Sequence, residues 1–249
     1  MSGHSKWAQI KRQKGLADAR RGQLFTKLAK EITIAARQGG SDPQSNSRLR
    51  LAVQRARDNN MPMENMERAV KRGVGSTDAA ALTELTLEGY GPGGSAILLQ
   101  ALTDNRNRTL SEVRNVFSRG GSSLGESGCV SWIFEPKGVI TIDADKVDAE
   151  ELALFAIDAG ADDVKIDKAI VEIHTQPQDM EAVRKALEQK EIAISSAELL
   201  QVPKSMVRLD EKSALQSLKL LDKLEELDDV QHVFTNADFP DEVVEKYQE

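Results

Sequence analysis

The sequence predicts an α+β protein of three domains: an N-terminal three-helix domain and two α+β domains, the last inserted into the middle one. Apolar residues recur at helical spacing in the first third of the chain. Short apolar runs typical of strands then alternate with helical segments. The chain has 249 residues, enough for two or three domains with substantial cores. The predicted limits are 1–78, 79–136 with 206–249, and 137–205.

Three amphipathic helices are predicted in the first domain. The first covers 18–38 and the second 48–59. The third has Pro62 near its first position and Gly73 as its stop. The residues expected on the apolar faces are Leu24, Leu28, Ile32, Ala35, Leu49, Ala52, Val53, Ala56, Met63, Met66 and Val70.

The middle domain starts as a ββαβ unit. Strands are predicted at 85–90 and 96–103, joined by a glycine-rich turn. A helix follows at 109–119, opened by a capping box between its first residue and Glu112, and then a strand at 130–134.

The block 139–201 alternates strands with helices predicted at 148–159 and 179–191. A last helix at 212–227 and a strand at 230–235 supply the helix and the strand that the ββαβ unit lacks. The middle domain is therefore predicted to be discontinuous in sequence, with the block between its two parts inserted.

Charge is divided unevenly along the chain. Residues 1–75 carry 16 Lys/Arg and 6 Asp/Glu, a balance of +10. Residues 76–249 carry 17 Lys/Arg and 34 Asp/Glu, a balance of −17, so the net charge of −7 describes neither part. A basic segment on an acidic body is typical of a protein that binds a polyanion, and nucleic acid is the predicted partner.

The basic arm at the start of the chain is the first candidate contact. Its cations neutralise phosphates, its small residues let the backbone approach them, and Trp7 can stack on an unpaired base. Alternatively, Trp7 anchors the arm to the helical domain and the cations are only solvated.

The predicted second helix carries four arginines and a single acid. Arg48 and Arg55 lie on one flank of its apolar stripe and Arg50 and Arg57 on the other, and only Asp58 can pair with them inside the helix. Arginine suits bidentate contact with phosphate. The alternative is that these arginines pair with the acidic body across a domain interface.

The predicted third helix argues against a conventional helix-turn-helix reader. Its first turn, which would meet the DNA, carries Glu64 and Glu67, and these face phosphates unfavourably. Backbone-dominated or structured-RNA binding fits better. Further on, Arg106 and Arg108 precede the helix at 109–119 and form a second candidate anion site, a purely structural turn being the alternative.

The sequence gives little support for catalysis. Its three histidines are scattered, Cys129 is expected to be a small core residue, and the acidic run 225–229 is expected to end a helix. We expect no enzyme activity, no cofactor, no metal and no small-molecule substrate. A hydrolase or a transferase is the alternative from another functional class.

The sequence also predicts the cellular compartment of the protein. A lone cysteine forms no internal disulfide, which fits a reducing cytoplasm. The first residues lack the apolar segment of a secretory signal, and no apolar run approaches the ~20 residues that cross a bilayer. We expect a cytoplasmic protein with no membrane partner, and the oligomeric state is left open.

Several motifs together resemble the YebC/PmpR family, whose mitochondrial relatives include the translational activator of cytochrome oxidase subunit one. The resemblance runs from the start through about Phe134 and more loosely to the C-terminus. The motifs are Met1-Ser2-Gly3-His4-Ser5-Lys6-Trp7, Phe25-Thr26-Lys27-Leu28, Arg48-Leu49-Arg50 with Ala52, Asn60-Met61-Pro62 followed by Glu67-Arg68-Ala69, Glu88-Gly89-Tyr90-Gly91-Pro92-Gly93-Gly94, and Thr103-Asp104-Asn105-Arg106-Asn107-Arg108-Thr109.

The resemblance implies three domains around a cleft, one helical and two α+β (ferredoxin-like), in a cytoplasmic regulator. Members of that family are described as DNA-binding transcriptional regulators or as ribosome-associated translation factors. The predicted function is therefore DNA-binding transcriptional regulation, and the alternative is a translation factor that contacts ribosomal RNA and relieves stalling at proline-rich stretches. The predicted nucleic-acid contacts are Lys6, Trp7, Lys11, Arg12, Lys14, Arg20, Arg21, Lys27, Arg48, Arg50, Arg55, Arg57, Arg106 and Arg108.

Overall fold

The computed structural model describes residues 18–75, 82–167 and 169–248 and confirms the α+β class. The helices are α1 (Asp18–Gly39), α2 (Ser47–Asp58), α3 (Met63–Gly75), α4 (Arg106–Arg119), α5 (Ala149–Asp158), α6 (Met180–Gln189), α7 (Glu211–Glu225) and α8 (Asp241–Gln248). The strands are β1 (Thr83–Tyr90), β2 (Ala96–Thr103), β3 (Ser123–Leu124), β4 (Phe134–Asp143), β5 (Asp163–Ile166), β6 (Ile170–Thr175), β7 (Ile194–Pro203), β8 (Val207–Arg208), β9 (Val230–Thr235) and β10 (Ala237–Asp238).

The described chain divides into two compact units. One is Glu135–Val202, and the other contains the segments on either side of it. The predicted limits of three domains stay predictions.

Helices α1, α2 and α3 follow the predicted periodicity closely. The side-chain oxygen of Asn46 accepts a hydrogen bond of 3.0 Å from the Leu49 N–H, which fixes the start of α2. The three helices bury a common core, and its fully or nearly buried members are Leu28, Ile32, Ala35, Ala36, Leu49, Ala52, Ala56, Met61, Met66 and Ala69.

The prediction that Gly73 ends the third helix is wrong. Helix α3 continues to Gly75, and Gly73 is buried against α1. A Cβ added at Gly73 lies 2.4 Å from the Thr33 carbonyl oxygen and 2.8 Å from the Ala36 Cβ. Glycine is needed here because two helix backbones approach closely, not because the chain turns.

The prediction that Met63 joins the apolar face is also wrong. Its side chain is 65% exposed, whereas Met66 is buried. Met63 is the first residue of α3, and the buried face of this helix begins one turn later.

The first sheet has the strand order β3-β1-β2-β9. The predicted hairpin between β1 and β2 is confirmed, with Tyr90 opposite Ala96 and a turn in which Gly93 and Gly94 have φ of 68° and 77°. Strand β9 pairs antiparallel with β2. The C-terminal segment therefore completes this sheet, as the sequence predicts.

Helices α4 and α7 share one apolar core with the first sheet. Their apolar residues pack with inward-facing residues of β1, β2 and β9, which alternate with residues of the opposite face. The largest contributors are Leu85, Leu87, Ile97, Leu99, Val113, Phe117, Leu218, Leu221, Val230, Val233 and Phe239.

Helix α4 begins three residues before its predicted start. The side-chain oxygen of Asn105 accepts a hydrogen bond from the Arg108 N–H and caps the helix, so Thr109 and Glu112 form no capping box. Thr109 is instead buried, and its hydroxyl donates to the Asp229 carboxylate over 2.7 Å.

The strand predicted at 130–134 is absent from the described structure. Ser131–Ile133 form a 3₁₀ turn, and β4 begins at Phe134. The Val130 and Ser131 N–H groups donate to the buried Glu88 carboxylate over 2.8 and 2.7 Å. Because a side chain takes these donors, no sheet ladder forms there.

The unit Glu135–Val202 has its own four-stranded sheet, in the order β5-β6-β4-β7. Strand β6 pairs antiparallel with β4 and with β5. Helices α5 and α6 lie inside the predicted ranges, and Asp148 caps α5 by accepting from two backbone N–H groups. The buried residues of this unit include Ile140, Ile142, Leu152, Val171, Ile173, Val183 and Leu187.

Candidate nucleic-acid interface

The predicted contacts divide between described and undescribed parts of the chain. Arg20 and Arg21 lie in the first turn of α1, and Arg21 is exposed. The contacts predicted in the arm lie outside the described residues, namely Lys6, Trp7, Lys11, Arg12 and Lys14.

Arg48 lies at the start of α2 in an open ion pair. Its Nη2 is 2.6 Å from Glu84 Oε1, and the two side chains are 44% and 48% exposed. Arg48 also donates a hydrogen bond to Gln38. An exposed pair of this kind contributes at most about 1 kcal/mol, so a phosphate can replace the carboxylate.

Arg50 has a local structural role. Its Nη1 donates to the carbonyl oxygens of Pro43 and Gln44 over 3.0 and 3.3 Å. These bonds fasten the loop between α1 and α2 to the first turn of α2.

Arg55 is directed into the molecule. Its Nη1 lies 3.0 Å from Glu31 Oε2 on α1 and 3.0 Å from His232 Nε2 on β9. The His232 ring in turn stacks on Phe234, with centroids 5.7 Å apart. Arg55 therefore links α2 to α1 and to the first sheet.

Arg57 differs from the other three arginines of α2. Its side chain is exposed, and it has no ionic partner among residues 18–75, 82–167 and 169–248. It lies in the last turn of the helix, where a cation is favourable to the helix dipole. Within the described part of α2, Arg57 is the cation best placed for an external anion.

Helix α1 meets the acidic run 225–229. Lys27 Nζ donates to the Glu225 carbonyl oxygen over 2.6 Å. Lys30 Nζ donates to the Asp228 carbonyl oxygen over 3.1 Å and to Asp229 Oδ1 over 2.7 Å. The acidic run therefore holds the helical segment as well as ending α7.

Asp229 is the centre of this contact. Its side chain is 5% exposed, and Oδ2 accepts from Arg108 Nη2, Thr109 Oγ1 and Thr103 Oγ1 over 2.7, 2.7 and 3.1 Å. With Lys30 on the other oxygen, one buried carboxylate binds groups from α1, β2 and α4. We call these five residues the Asp229 cluster.

The Asp229 cluster shifts the ionisation of its members. Burial acts to raise the pKa of Asp229, but the hydrogen bonds from Arg108, Lys30 and Thr109 outweigh burial and hold this pKa well below its usual range. Hydrogen bonds to Asp229 and Asp104 raise the pKa of Arg108 above its usual value. The carboxylate is therefore charged at neutral pH.

The predicted anion site before α4 is only partly open. Arg108 is held by Asp229 and by Asp104, 2.8 Å away. Arg106 is exposed at the first position of α4, beside the Asn105 cap. Both arginines are exposed, but Arg108 is held by two carboxylates, so Arg106 is the better candidate for an external anion.

The first turn of α3 carries one of the two acids predicted there, Glu64, and the second, Glu67, lies just after that turn. Glu64 is exposed and pairs with Arg68 over 2.6 Å, one helical turn on, and Glu67 is exposed beside it. A recognition helix would bring this turn towards the DNA.

Sequence reasoning missed Lys30 and Asp229, which form an ion pair around a carboxylate that is 5% exposed. Asp229 directly precedes the apolar strand β9. An acid at such a position is a signal for a buried carboxylate with cationic partners.

No catalytic arrangement is found in the part of the chain described. Burial and the nearby Glu88 charge raise the pKa of the Cys129 thiol, the opposite of what a nucleophile needs. No three His, Cys, Asp or Glu residues there could hold a metal ion. None of the described helices is both long and apolar enough to span a membrane.

Known proteins match this chain over nearly all of its length. The family model for the TACO1/YebC protein N-terminal domain matches residues 5–76, and the model for the TACO1/YebC second and third domain matches residues 82–237. A crystal structure of a conserved hypothetical protein from Aquifex aeolicus superposes with a TM-score of 0.84 at 47% identity, covering 90% of this chain and 92% of that one.

Curated relatives give the same result. A probable transcriptional regulatory protein of Dehalococcoides mccartyi is 60% identical over 247 residues, 99% of this chain and 98% of its own length. One from Chloroflexus aggregans is 56% identical over 250 residues, 99% of each chain. The resemblance seen in the sequence motifs is confirmed, and the chain belongs to the TACO1/YebC family.

Proposed function

We propose that this protein is a cytoplasmic, non-enzymatic, nucleic-acid-binding regulator, in which the N-terminal arm and helix α2 contact the phosphate backbone of DNA. The names of its relatives support a role in transcriptional regulation. The observation that carries the proposal is the balance of +10 in residues 1–75. A segment with this excess of positive charge provides sequence-independent affinity for a polyanion.

The contacts of α2 support a division of roles among its four arginines. Arg50 and Arg55 hold the helix through bonds inside the protein. Arg57 faces solvent, and Arg48 is held by an exposed pair with Glu84 and a hydrogen bond to Gln38. Two arginines thus fix the helix and leave the other two available to a ligand. Binding then requires little additional ordering of the helix.

Ribosomal RNA is a second candidate ligand. The specific observation in its favour is the exposed pair of acids at the start of α3, Glu64 and Glu67. They disfavour entry of this helix into a major groove and leave contact with the backbone of a structured RNA as the alternative. On that hypothesis the protein is a translation factor that relieves stalling at proline-rich stretches.

The salt dependence of binding tests phosphate contact directly. If about six phosphates are neutralised, log affinity for duplex DNA falls with log salt at a slope of about −5. Arg57→Ala should reduce this slope by about 0.9, because one contact is lost. Lys185→Ala removes an exposed cation of α6 and serves as the matched control, with an unchanged slope expected. A flat salt response of the unaltered protein refutes the proposal.

Sedimentation distinguishes between DNA and ribosomal RNA as the ligand. Lysate is run on a sucrose gradient with and without nuclease, and the protein is followed across the fractions. Comigration with ribosomal particles that nuclease abolishes supports the RNA hypothesis. Absence from those fractions, together with sequence-dependent retention of promoter DNA, supports transcriptional regulation.

A further inference from the structure

Two aromatic side chains share one carbonyl oxygen on the surface. Tyr90 Oη and Trp132 Nε1 each donate a hydrogen bond of 3.0 Å to the Cys129 carbonyl oxygen. Both rings remain open to solvent, Trp132 at 68% and Tyr90 at 40% exposure. The polar atoms of the two rings are therefore hydrogen-bonded within the protein, while much of their apolar surface is exposed to solvent.

The fold does not need these rings at the surface. The chain has two Trp and two Tyr, and its cores are closed by other side chains such as Phe117 and Phe234. Leaving a tryptophan exposed forgoes the stabilisation that its burial gives. Holding its N–H in an internal bond fixes the ring in one position, which lowers the entropy lost when a flat ligand binds.

A buried carboxylate fixes the loop that carries the shared carbonyl. Glu88 accepts hydrogen bonds from the N–H groups of Gly128, Val130 and Ser131 over 2.7, 2.8 and 2.7 Å. Burial acts to raise the pKa of Glu88, but these backbone bonds outweigh it and lower the pKa. The loop is thus tied to β1, the strand that also ends in Tyr90.

We propose that Tyr90 and Trp132 form a stacking site for an unpaired base of a nucleic acid strand. The site rests on the proposed function and adds to it a stacking contact with bases that are not paired in a duplex. Aromatic rings bind bases of any sequence by stacking. Lys204, which is exposed, donates to the Trp132 carbonyl oxygen over 3.2 Å and supplies a cation beside the rings for the phosphate of the same nucleotide.

The surroundings favour a nucleic acid base over a protein partner. The neighbouring loop residues Glu126, Ser127 and Gly128 are exposed and not apolar, so the two rings have no wide apolar border on that side. A stable protein interface buries about 800 Å² on each partner around an apolar centre. Two rings and a lysine match a single nucleotide instead. Because Glu126 is negatively charged, stacking rather than charge provides the affinity on its side of the rings.

The test compares labelled single-stranded RNA, single-stranded DNA and a duplex by fluorescence anisotropy. Trp132→Ala should weaken single-strand binding about 5- to 150-fold, the range for loss of one stacked base. The salt slope and the duplex affinity should not change, because no cation is removed. Trp132→Phe keeps a ring and should lose less. Leu154→Ala, at a side chain that is 72% exposed in the other unit, is the control and should bind as the unaltered protein does.

Intrinsic fluorescence gives a second readout. The chain has only two tryptophans, so the difference between the unaltered protein and Trp132→Phe reports Trp132 alone. Quenching of this component by a single strand is the expected result. The RNA and DNA arms then show which kind of strand supplies the base.

The outcomes separate this site from the proposed function. Unchanged single-strand affinity of a folded Trp132→Ala protein, or an equal loss on the duplex, overturns the stacking site and leaves phosphate binding intact. Absence of Trp132 quenching also overturns it and leaves the rings to a protein partner. Failure of the unaltered protein to bind the duplex in a salt-dependent manner overturns the proposed function itself.

Discussion

Replacing Asp229 by asparagine should destabilise the protein strongly. The substitution keeps the shape of the side chain, removes its charge, and turns one accepting oxygen into an N–H₂ donor. That donor must face either Lys30 or the group formed by Arg108, Thr103 and Thr109, all of which donate. At least one of these donors therefore loses its acceptor inside the protein.

The size of the effect follows from the burial of the Asp229 cluster. Removing one partner of a fully buried ion pair costs about 3–5 kcal/mol. Here Lys30 and Arg108 are 22% and 45% exposed and can regain water, so we expect a loss of about 2–4 kcal/mol. Asp228→Asn is the matched control. The exposed Asp228 side chain accepts a single 3.3 Å bond among the described residues, from Gln23, and its change should stay within about 0.5 kcal/mol.

Urea unfolding at several pH values tests both the size and the cause. The pKa of Asp229 is lower in the folded protein than in the unfolded chain, so its contribution is full above the unfolded value of about 3.9 and is lost as pH falls further. The gap between the unaltered protein and Asp229→Asn should therefore narrow below about pH 4. Equal stability of the Asp229 and Asp228 variants at pH 7 refutes the reasoning.

Three further changes test other parts of the structure. Gly73→Ala should destabilise the protein by about 1–3 kcal/mol, because the added Cβ meets the α1 backbone. Gly22→Ala lies in open space on α1 and should stabilise the protein by about 0.5–1 kcal/mol. Equal effects of the two substitutions in thermal unfolding contradict the close-packing argument. Glu88→Gln should lose about 1–3 kcal/mol in urea at pH 7, with the loss shrinking below about pH 4 because its pKa is lowered; a pH-independent loss contradicts this. Glu84→Gln frees Arg48 and should raise duplex affinity up to about fivefold by anisotropy, with stability changed by less than about 1 kcal/mol; weaker binding contradicts the exchange of carboxylate for phosphate.

Local patterns predicted the elements well. The strands at 96–103 and 230–235 match β2 and β9 residue for residue, because each is a short segment with β-forming apolar residues bounded by polar or turn-forming residues. The errors at Gly73 and at 130–134 share one physical cause. Each is decided by a group distant in sequence, the α1 backbone in one case and the Glu88 carboxylate in the other.

The candidate site shows the same division. The sequence identified the cations of α2, since four arginines with one acid are visible in a single helix. It could not decide which of them are used internally, because Arg55 contacts His232 and Arg48 contacts Glu84 only after folding. Of the four, Arg48 pairs with an acid outside the helical segment, Glu84, whereas Arg55 pairs with Glu31 of α1 and Arg57 stays exposed.

The burial of each ion pair decides whether a polyanion can compete with it. The pair of Arg48 with Glu84 is half exposed, so a phosphate that replaces the carboxylate gives up at most about 1 kcal/mol. The pair of Lys30 with Asp229 lies around a 5% exposed carboxylate, and opening it leaves a buried charge without its partners. Nucleic acid should therefore exchange with the acids at the edge of the basic segment without releasing the helices from the first sheet. An acidic body can in this way weaken indiscriminate binding and still hold the helical segment in place.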